Sequence, residues 1–415
     1  MLFRDRIPTQ GPVINLLPEQ QTMNIEAALN LEDIRQMARR RLPKIAFDFI
    51  EGGADDEHGL RRNRDAFGRF NLVPRYLVDV SHRDQSVSMF GRTYASPIGI
   101  APTGLAGLFR LDADCLLAQA AVDHNIPYLM SSASNHSIET AARIAPDHVW
   151  FQIYCTPQEH INVDLVRRAR DANVQTLVVS VDVPVNSNRE RNRRNGFTRP
   201  FKMTPRIVLD ALTHPGWLVD YLRSGGMPLM QNWAPYAPKG ATAQEVADVF
   251  GTLTPNSMNT WKTLEQVRSL WGGNLVVKGL LHPDDAKAAV ALGANAIIVS
   301  NHGGRQLDTA PSPIDMLPSI MAAVPNTPVM VDSGVRRGSD IVIAMCLGAR
   351  FTFFGRPTLY GAAAAGLKGV ARTIKLVQAE IDMVMAQIGC TRLDALHAGY
   401  LHSAGATYPE ATSVK

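Results

Sequence analysis

The sequence predicts an α/β protein built on a single (β/α)8 TIM barrel, and two observations favour this fold. Short apolar runs rich in β-branched residues recur eight times, and most of the gaps between them hold an Ala-rich segment of helical character. Continuous apolar strands that alternate with helices are typical of a parallel sheet, and eight such units favour a closed barrel over an open sheet. The eight runs are PIGIAP, PYLMSS, VWFQIY, TLVVSVD, NLVVKG, AIIVSN, PVMVDS and FTFFG.

The chain on either side of the barrel is predicted to be less regular. Residues 1–27 carry Pro, Gln and Gly without periodicity, which is typical of a flexible arm. A helical segment follows, with Asn30 as a candidate N-cap and acidic residues in its first turn, where the helix dipole favours them. We therefore assign residues 28–400 to the barrel with its N-terminal helical segment, and residues 401–415 to a C-terminal tail.

One connection is far longer than the others. Residues 185–273 separate the fourth and fifth strands, and a linker of that length inside a compact domain is usually functional or disordered. It begins with a strongly basic run, and its middle carries Trp217, Tyr221 and Trp233 among aliphatic residues. Aromatic residues beside a basic run are what an interfacial membrane anchor needs, but a lid or a subunit contact would bury the same side chains. All three interpretations of this insertion stay open.

The composition excludes several classes of protein. The chain has 415 residues, of which 46% are hydrophobic and 19% are charged, as in ordinary globular proteins. A net charge of +4 is small for this length and predicts no nucleic-acid partner. The four cysteines form no C-x-x-C pair, and neither a signal peptide nor a membrane span is predicted. These features fit a cytoplasmic protein with reduced thiols and no metal site.

Polar residues close several of the otherwise apolar strands. In a (β/α)8 barrel the catalytic groups lie at the C-terminal ends of the strands, and a buried polar group is costly unless it meets a partner or a ligand. A single polar strand end is unremarkable, but five consecutive ones favour a functional site. The residues concerned are Gln152, Tyr154, Ser180, Asp182, Lys278, Ser300, Asn301, His302 and Asp332, with Arg305 just beyond the sixth strand.

The loops after the last two strands carry glycine and arginine. Barrels often hold a phosphate between these loops, on glycine backbone and a helix N-terminus. Gly334 and Gly355 would allow close approach and Arg336 and Arg356 would add positive charge, although ordinary Gly-rich turns are the alternative. Together with Lys278 on the fifth strand, a phosphate site predicts FMN, because a cation beside the flavin N1 and O2 edge favours its reduced form. A lone strand lysine could also form a Schiff base.

A histidine and an arginine lie three residues apart in the stretch SNHGGRQLD. His302 suits proton transfer near neutral pH, and Asp182 is the candidate partner that would stabilise its imidazolium. Arg305 has the planar fork that holds a carboxylate through two hydrogen bonds. The stretch therefore predicts a base beside an acid-binding cation, with Gly303 and Gly304 leaving room for both.

These motifs resemble those of the FMN-dependent α-hydroxy-acid oxidases and dehydrogenases. SNHGGRQLD is a specific signature of that family, and the resemblance extends over residues 28–400. Three segments, SSASNHSIE, VLDALTHPGW and AQIGC, are most similar to the mandelate dehydrogenase branch of the family. The other family motifs, in the expected order, are LPKIAFDFIEGGADDE, IAPTGLAGL, LVVKGLL, DSGVRRGSD and FGRPTLYG.

The resemblance implies that the protein oxidises an (S)-2-hydroxy acid to the 2-oxo acid with FMN, whose N5 accepts the electrons. His302 would remove the α-proton, or the hydroxyl proton if the α-hydrogen leaves as a hydride, with Asp182 in support. Arg305 and Arg189 would bind the carboxylate, and Tyr154 the substrate oxygen. The residues implied to bind FMN are Pro102, Thr103, Gly104, Ser131, Gln152, Ser180, Lys278, Ser300, Asp332, Ser333, Gly334, Arg336, Gly355 and Arg356.

Three residues depart from patterns found in the family. Phe49 stands where a tyrosine usually helps to hold the carboxylate, and Ala133 stands where oxidases of small substrates have tryptophan. Gly104 replaces the alanine of many oxidases, as in the branch for which O2 is a poor electron acceptor. The wider pocket predicts a bulky or aromatic, mandelate-like substrate. Phe49 leaves open an alternative substrate without a free carboxylate, such as a hydroxy ester, an amide or an amine.

The resemblance also implies the partners. The electron acceptor would be O2 or a membrane quinone, and the chain would form a homo-oligomer, a tetramer in many family members. The protein would be cytoplasmic, either free or peripheral at the inner face of the membrane. Two interpretations from other classes are a phosphate-binding barrel isomerase without flavin and a non-catalytic binding barrel, and neither explains why Asp182 and His302 would be paired.

Overall fold

Eight parallel strands close into a barrel in the structure, a computed structural model that describes residues 24–197 and 204–403. Seven barrel strands fall within one of the eight apolar runs and β8 extends one residue beyond its run, so the predicted fold class is confirmed. In chain order the strands are β1 (Phe70–Leu72), β2 (Val87–Met89), β3 (Arg92–Tyr94), β4 (Ile98–Ile100), β5 (Tyr128–Ser131), β6 (Val149–Tyr154), β7 (Thr176–Ser180), β8 (Asn274–Leu280), β9 (Ala296–Val299), β10 (Val329–Asp332), β11 (Thr352–Phe354) and β12 (Leu401–Ser403).

Strands β4 to β11 form the barrel, and β11 closes it by pairing with β4. Helices follow the barrel strands and cover their outer faces. The helices are α1 (Leu31–Arg41), α2 (Lys44–Glu51), α3 (His58–Asp65), α4 (Ala113–Asp123), α5 (Ile138–Ile144), α6 (Glu159–Asp171), α7 (Glu190–Arg194), α8 (Pro205–Leu212), α9 (Pro215–Arg223), α10 (Ala243–Leu253), α11 (Trp261–Leu270), α12 (Pro283–Ala291), α13 (Pro313–Ala323), α14 (Gly338–Cys346) and α15 (Arg356–Gln387), the last interrupted at Ala365 and Gly366.

The interior of the barrel is filled with apolar side chains and covered at its N-terminal end. A buried cluster that includes Trp150 and Phe353 occupies the interior. The hairpin of β2 and β3 adds Val87 and Tyr94 to this cluster, and the indole Nε1 of Trp150 donates to the hydroxyl of Tyr94 at 3.3 Å. Because the hairpin packs on the N-terminal end, the opposite end of the barrel is the one left to hold a site.

The folded part of the chain extends a few residues beyond both predicted boundaries, into the N-terminal arm and into the C-terminal tail. Residues 25–27, which the sequence assigned to the flexible arm, form a 3-10 helix in which Ile25 is buried. At the other end, Leu401–Ser403 forms β12 and pairs with β1, so the first three residues of the predicted tail belong to the fold. In both cases a few residues gain packing or strand pairing that composition does not reveal. The rest of the arm and of the tail lies outside the described residues.

Asn30 caps α1 as predicted, because its side chain accepts from the Asp33 amide at 3.0 Å.

The long connection packs on the barrel as a group of helices rather than extending from it. Trp217 and Trp233, which the sequence suggested as membrane anchors, are 4% and 0% exposed. The Trp217 indole N–H donates to the Leu108 carbonyl at 2.7 Å, which satisfies its polar group inside the protein. The anchoring role is therefore wrong for these two aromatic residues. Helices α8 and α9 carry several of the exposed apolar residues of this region, among them Leu209, Leu212 and Leu222. Others, such as Met258 and Trp261, lie further along the connection.

Candidate active site

The strand register brings the polar strand ends together at the C-terminal end of the barrel. Ser131 lies opposite Gln152, and Ser180 lies between Tyr154 and Lys278 on the neighbouring strands. A cavity of about 860 Å³ opens above them. The cavity is lined by most of the predicted site residues, namely Phe49, Pro102, Thr103, Gly104, Ser131, Ala133, Tyr154, Arg189, Lys278, His302, Arg305, Asp332, Ser333, Gly334, Arg336, Gly355 and Arg356.

Four of the predicted residues are not part of the cavity lining. Gln152, Ser180 and Ser300 are buried at the ends of their strands, and Asp182 is largely buried just after β7. Ser300 and Asp182 are each hydrogen-bonded to a residue that lines the cavity. The Ser300 hydroxyl accepts from the Lys278 ammonium at 2.8 Å. Asp182 pairs with the ring of His302. The structure thus brings all the predicted polar groups to one end of the barrel.

The imidazole of His302 is held between an acid and a phenol. Its Nδ1 lies 3.0 Å from Oδ1 of Asp182, and its Nε2 lies 3.5 Å from the hydroxyl of Tyr154. With Nδ1 carrying the proton shared with the carboxylate, Nε2 is left as the acceptor. His302 has φ +58°, and Gly303 and Gly304 continue in the left-handed region at +67° and +73°. This backbone is costly for histidine, and it presents the ring where Asp182 can reach it.

Burial sets the proton affinities of this group. It lowers the pKa of His302 below the ordinary imidazole value, and the Asp182 carboxylate opposes this effect without cancelling it. The imidazole is therefore neutral at pH 7 and able to accept a proton. Burial alone would raise the pKa of Asp182, but the electrostatic interaction with His302, the charge of Lys278 and the hydrogen bond with His302 outweigh it, so the pKa lies below its ordinary value. Burial raises the pKa of Tyr154 to about 12, which keeps the phenol protonated.

Lys278 presents a buried positive charge to the cavity. Its Nζ lies 3.0 Å from Oδ2 of Asp332. Burial lowers the pKa of the ammonium, but the charges of Asp332 and Asp182 outweigh this effect and raise the pKa above its ordinary value. A Schiff-base lysine needs a lowered pKa, because only the neutral amine attacks a carbonyl. The raised pKa argues against that alternative and fits a fixed cation.

Several buried polar atoms at this end of the barrel lack hydrogen-bond partners among the residues that the structure describes. They are Oε1 and Nε2 of Gln152, Oγ of Ser180, Oγ1 of Thr103 and Oδ2 of Asp182. Buried polar groups are normally satisfied, so a cluster of unsatisfied ones indicates a place for a polar ligand. The isoalloxazine ring of FMN has both donors and acceptors along its edge, and the amide of Gln152 offers both in return. The residues present therefore fit the predicted flavin.

The loops after β10 and β11 form a second, cationic end of the cavity. Ser333 and Gly334 have φ of +76° and +91°, and a Cβ on Gly334 would lie 2.1 Å from the carbonyl oxygen of Asn63. Arg356 donates from three nitrogens to the carbonyls of Ile50, Gly303 and Gly52. Arg336 donates to its neighbour's carbonyl at 2.7 Å. Tight glycine backbone beside two guanidinium groups has the chemistry of a phosphate site.

Arg305 is fixed by the end of α2. Its Nη1 donates to the carbonyls of Phe49 and Gly52 at 2.9 and 2.8 Å, and its guanidinium lies 5.2 Å from the centroid of the Phe49 ring. Burial, together with the charges of Arg189 and Arg356, lowers the pKa of Arg305 well below its ordinary value. A crowded cluster of half-buried guanidinium groups favours an anion in the cavity.

Two small residues set the width of the cavity beside this cation cluster. A Cβ on Gly104 would lie 2.8 Å from the Cβ of Ala133, so an alanine at position 104 would have to displace Ala133. Both residues line the cavity, and neither extends a side chain beyond Cβ into it.

Sequence reasoning missed two features of the site. Gly279 has φ +106° and marks a bulge in β8, and a Cβ there would lie 2.6 Å from that of Asp182. A glycine inside an apolar strand signals a close backbone approach, so this residue could have been found. The second feature is one face of α10, which lines the cavity with Gln244, Ala247 and Asp248. No local signal connects this helix with the barrel, because its position depends on how the long connection packs.

Comparisons with known proteins agree with this geometry. Residues 38–403 match the family described as FMN-dependent dehydrogenase. The chain belongs to this family, and it is an oxidoreductase that uses FMN.

Within the family the chain is similar to enzymes of known name. It is 42% identical to (S)-mandelate dehydrogenase of Pseudomonas putida over 91% of this chain and 95% of that protein. It is 37% identical to an L-lactate oxidase of Nostoc sp. over 91% and 99%. The crystal structure of monotopic membrane protein (S)-mandelate dehydrogenase superposes with a TM-score of 0.88 at 41% identity, over 91% of this chain and all of that one (100%).

The part of the chain that the structure describes lacks two further features. In residues 24–197 and 204–403, no helix is both long and apolar enough to cross a bilayer. In the same ranges, no group of three or more His, Cys, Asp or Glu side chains could hold a metal ion.

Proposed function

We propose that this protein oxidises an (S)-2-hydroxy acid with a bulky, aromatic side chain, such as mandelate, to the corresponding 2-oxo acid. The observation that carries the proposal is that His302, whose Nδ1 lies 3.0 Å from Asp182, lines the same cavity as the cation Arg305. A base next to a carboxylate site is what removal of a proton from a 2-hydroxy acid requires. The similarity to (S)-mandelate dehydrogenase supports the aromatic side chain.

The roles of the side chains follow from their positions. Arg305 and Arg189 bind the substrate carboxylate and thereby fix the α-carbon. Nε2 of His302 takes a proton from the substrate, either from the α-carbon or from the hydroxyl if the α-hydrogen leaves as a hydride. Asp182 stabilises the imidazolium that results. Bound FMN supplies the acceptor for the electron pair that leaves the substrate.

The residues proposed to bind FMN divide between the ring and the phosphate. Gln152, Thr103 and Ser180 would satisfy their unpartnered atoms on the ring, and Lys278 would place its charge beside it. The phosphate would be held by Arg336, Arg356 and the surrounding backbone. The remaining residues proposed for the cofactor are Pro102, Gly104, Ser131, Ser300, Asp332, Ser333, Gly334 and Gly355.

An anaerobic screen tests the proposal. Purified protein is mixed with 2-hydroxy acids, their methyl esters and their amides, and bleaching of the flavin absorbance is followed. We expect bleaching by mandelate and slower bleaching by its ester. The relatives named above act, by their names, on hydroxy acids, and the comparisons give no support to the alternative of a substrate without a free carboxylate. If none of the 2-hydroxy acids bleaches the flavin, the proposal is overturned.

Phe49→Tyr should strengthen the binding of a free acid. The Phe49 ring lies next to Arg305 and packs 4.6 Å from the ring of Phe197. A hydroxyl on this ring adds a donor near the carboxylate site, and a net gain of about 1 kcal/mol corresponds to roughly fivefold. We expect the KM for mandelate to fall by that factor and the KM for methyl mandelate to change much less. An equal response of acid and ester would show that residue 49 does not face the carboxylate.

We further propose that the protein binds the inner membrane surface and passes electrons to a quinone rather than to O2. The exposed leucines of α8 and α9 and the exposed cations Arg206 and Arg223 lie on the same two helices, which is the pattern of an interfacial contact. The similar crystal structure is described as a monotopic membrane protein. The acceptor is tested by comparing reoxidation of the reduced flavin by O2 and by a soluble quinone.

A homo-oligomer, a tetramer by family resemblance, is also proposed and is tested by sedimentation.

Replacing both Leu209 and Leu212 with Glu should abolish membrane binding. These side chains are 65% and 58% exposed. Burial of each leucine in the lipid interface contributes about 1.5–3 kcal/mol, so losing both should weaken partitioning by at least ~10²-fold. The measurement is co-sedimentation with anionic vesicles at low salt. Point changes are preferable to deletion of residues 205–236, because deletion would remove the buried Trp217 and Trp233.

The control is a double replacement of exposed apolar residues outside the connection, Leu29→Glu with Met383→Glu. This variant should co-sediment like the wild type. Wild-type protein that stays in the supernatant at low salt would contradict the membrane proposal and leave a subunit contact as the role of the exposed leucines.

A further inference from the structure

We propose that the cavity contains a distal subsite, formed by Asp248 and Gln244, that recognises a hydrogen-bond donor at the far end of the substrate side chain. The chemical class is a 2-hydroxy acid whose aromatic ring carries a hydroxyl opposite the point of attachment. The proposal rests on the function proposed above and specifies its substrate.

The first argument is the face that α10 presents. Gln244, Ala247, Asp248 and Gly251 are spaced as one face of a helix, and all four line the cavity that contains His302 and Arg305. Gly251, which has no side chain, follows Asp248 on this face toward the C-terminal end of the helix. It therefore leaves room for an apolar ring between the reacting centre and the polar residues Asp248 and Gln244.

The second argument is the way in which α10 is anchored. Phe250 packs edge-on against the ring of Tyr154 at 6.3 Å and against Trp233 at 5.0 Å. Just beyond the helix, the amide side chain of Asn256 donates to the Cys155 carbonyl at 3.1 Å. The backbone amide of Asn256 also donates to the Val183 carbonyl at 3.4 Å, so the C-terminal end of α10 is fixed just beyond the ends of β6 and β7. Asp248 and Gln244 precede Gly251 by about 4.5 Å and about 10 Å along the helix axis, so both lie further from the anchored end of the helix than Gly251 does.

The third argument is the chemistry of the polar turn. Nε2 of Gln244 donates to Oδ1 of Asp248 at 3.0 Å, which orients the carboxylate within the cavity wall. A carboxylate accepts several hydrogen bonds and donates none when ionised. The subsite therefore suits a donor such as a phenolic hydroxyl. It disfavours a second carboxylate, whose charge would face that of Asp248.

Substrate preference gives the first test. We measure kcat/KM for 4-hydroxymandelate, mandelate and 4-methoxymandelate, the last of which has an oxygen at the same position but no donor. We expect the hydroxy compound to be preferred over each of the others by roughly tenfold, the effect of one hydrogen bond to a charged group. Asp248→Leu should remove this preference, and Asp248→Asn, which keeps one acceptor oxygen, should remove only part of it. Because each ratio is taken within one variant, differences in folding or flavin content cancel.

Asp171→Leu, at the exposed end of α6, is the control and should keep the wild-type ratio. A wild-type enzyme with no preference, or an Asp248→Leu variant that keeps the wild-type ratio, would overturn the subsite.

A binding measurement separates failure of the subsite from failure of the proposed function. Phenylacetate and 4-hydroxyphenylacetate lack the 2-hydroxyl group and cannot be oxidised at that carbon. We expect calorimetry on the FMN-bound protein to show roughly tenfold tighter binding of the hydroxylated acid, lost in Asp248→Leu. If neither hydroxy acid is oxidised but this difference is found, the proposed function fails and the subsite stands. If oxidation proceeds and the two acids bind equally, the subsite fails and the proposed function stands.

Discussion

His302→Asn should retain FMN and slow its reduction by mandelate at least ~10²-fold, the typical effect of losing a general base. Asparagine is the preferred replacement because it tolerates the left-handed backbone that His302 adopts at φ +58°. His302→Gln should show the same loss of rate, with an added cost from backbone strain. Stopped-flow measurement of flavin bleaching gives the rate directly. A variant that bleaches at the wild-type rate would show that His302 is not the base.

The pH dependence gives an independent check on the same residue. Because burial lowers the pKa of His302, the neutral, proton-accepting form persists below the ordinary imidazole value. The wild-type kcat/KM should therefore be flat around pH 7 and fall only as the pH drops through this lowered pKa. The His302→Asn profile should lack that acid limb. His160→Gln, on the exposed surface of α6, should leave both the rate and the profile unchanged.

Arg305→Met should lower kcat/KM for mandelate by ~10²–10⁴-fold. Two hydrogen bonds between a guanidinium and a carboxylate are worth about 1.5–3 kcal/mol each, and methionine replaces neither. The ester has no charge to lose, so its kcat/KM should fall much less. We expect the preference of the wild type for the acid over methyl mandelate to disappear. Steady-state kinetics with both substrates measures this change, and a preserved preference would place the carboxylate elsewhere.

Arg305→Lys provides a check against misfolding, since it keeps the positive charge. Lysine cannot reproduce the planar fork, nor the hydrogen bonds from Nη1 to the carbonyls of Phe49 and Gly52. This variant should bind FMN and still show a large loss with the acid. A lysine variant with wild-type kinetics would mean that only the charge at position 305 matters.

The barrel was predictable because its signals are local. Each strand is a short apolar run, and the polar residue that ends it marks the same edge of the sheet. Parallel pairing then places Tyr154, Ser180 and Lys278 side by side without further information. The association of His302 with Asp182 was also within reach, because both follow barrel strands and their chemistry is complementary.

What could not be predicted depends on contacts between distant segments. The sequence shows tryptophans in the long connection but not which side of them is covered, and the structure buries Trp217 and Trp233. In the same way, the sequence shows Asp248 on a helix without showing that this helix borders the cavity. Arg305 is fixed by hydrogen bonds to the backbone carbonyls of Phe49 and Gly52. Because every residue has such a carbonyl, no residue pattern predicts these bonds.

The carbonyl of Gly52 accepts from Arg305 and from Arg356 at once, at 2.8 and 3.0 Å. One of these arginines is proposed to bind the substrate and the other the cofactor phosphate. If either guanidinium moves toward its ligand, its hydrogen bond to the Gly52 carbonyl changes, and so does the bond that the other arginine makes to the same carbonyl. Binding of the acid and binding of the cofactor phosphate are therefore thermodynamically coupled. Such coupling is reciprocal. We therefore expect bound FMN to dissociate at a different rate when an acid occupies the substrate site than when that site is empty.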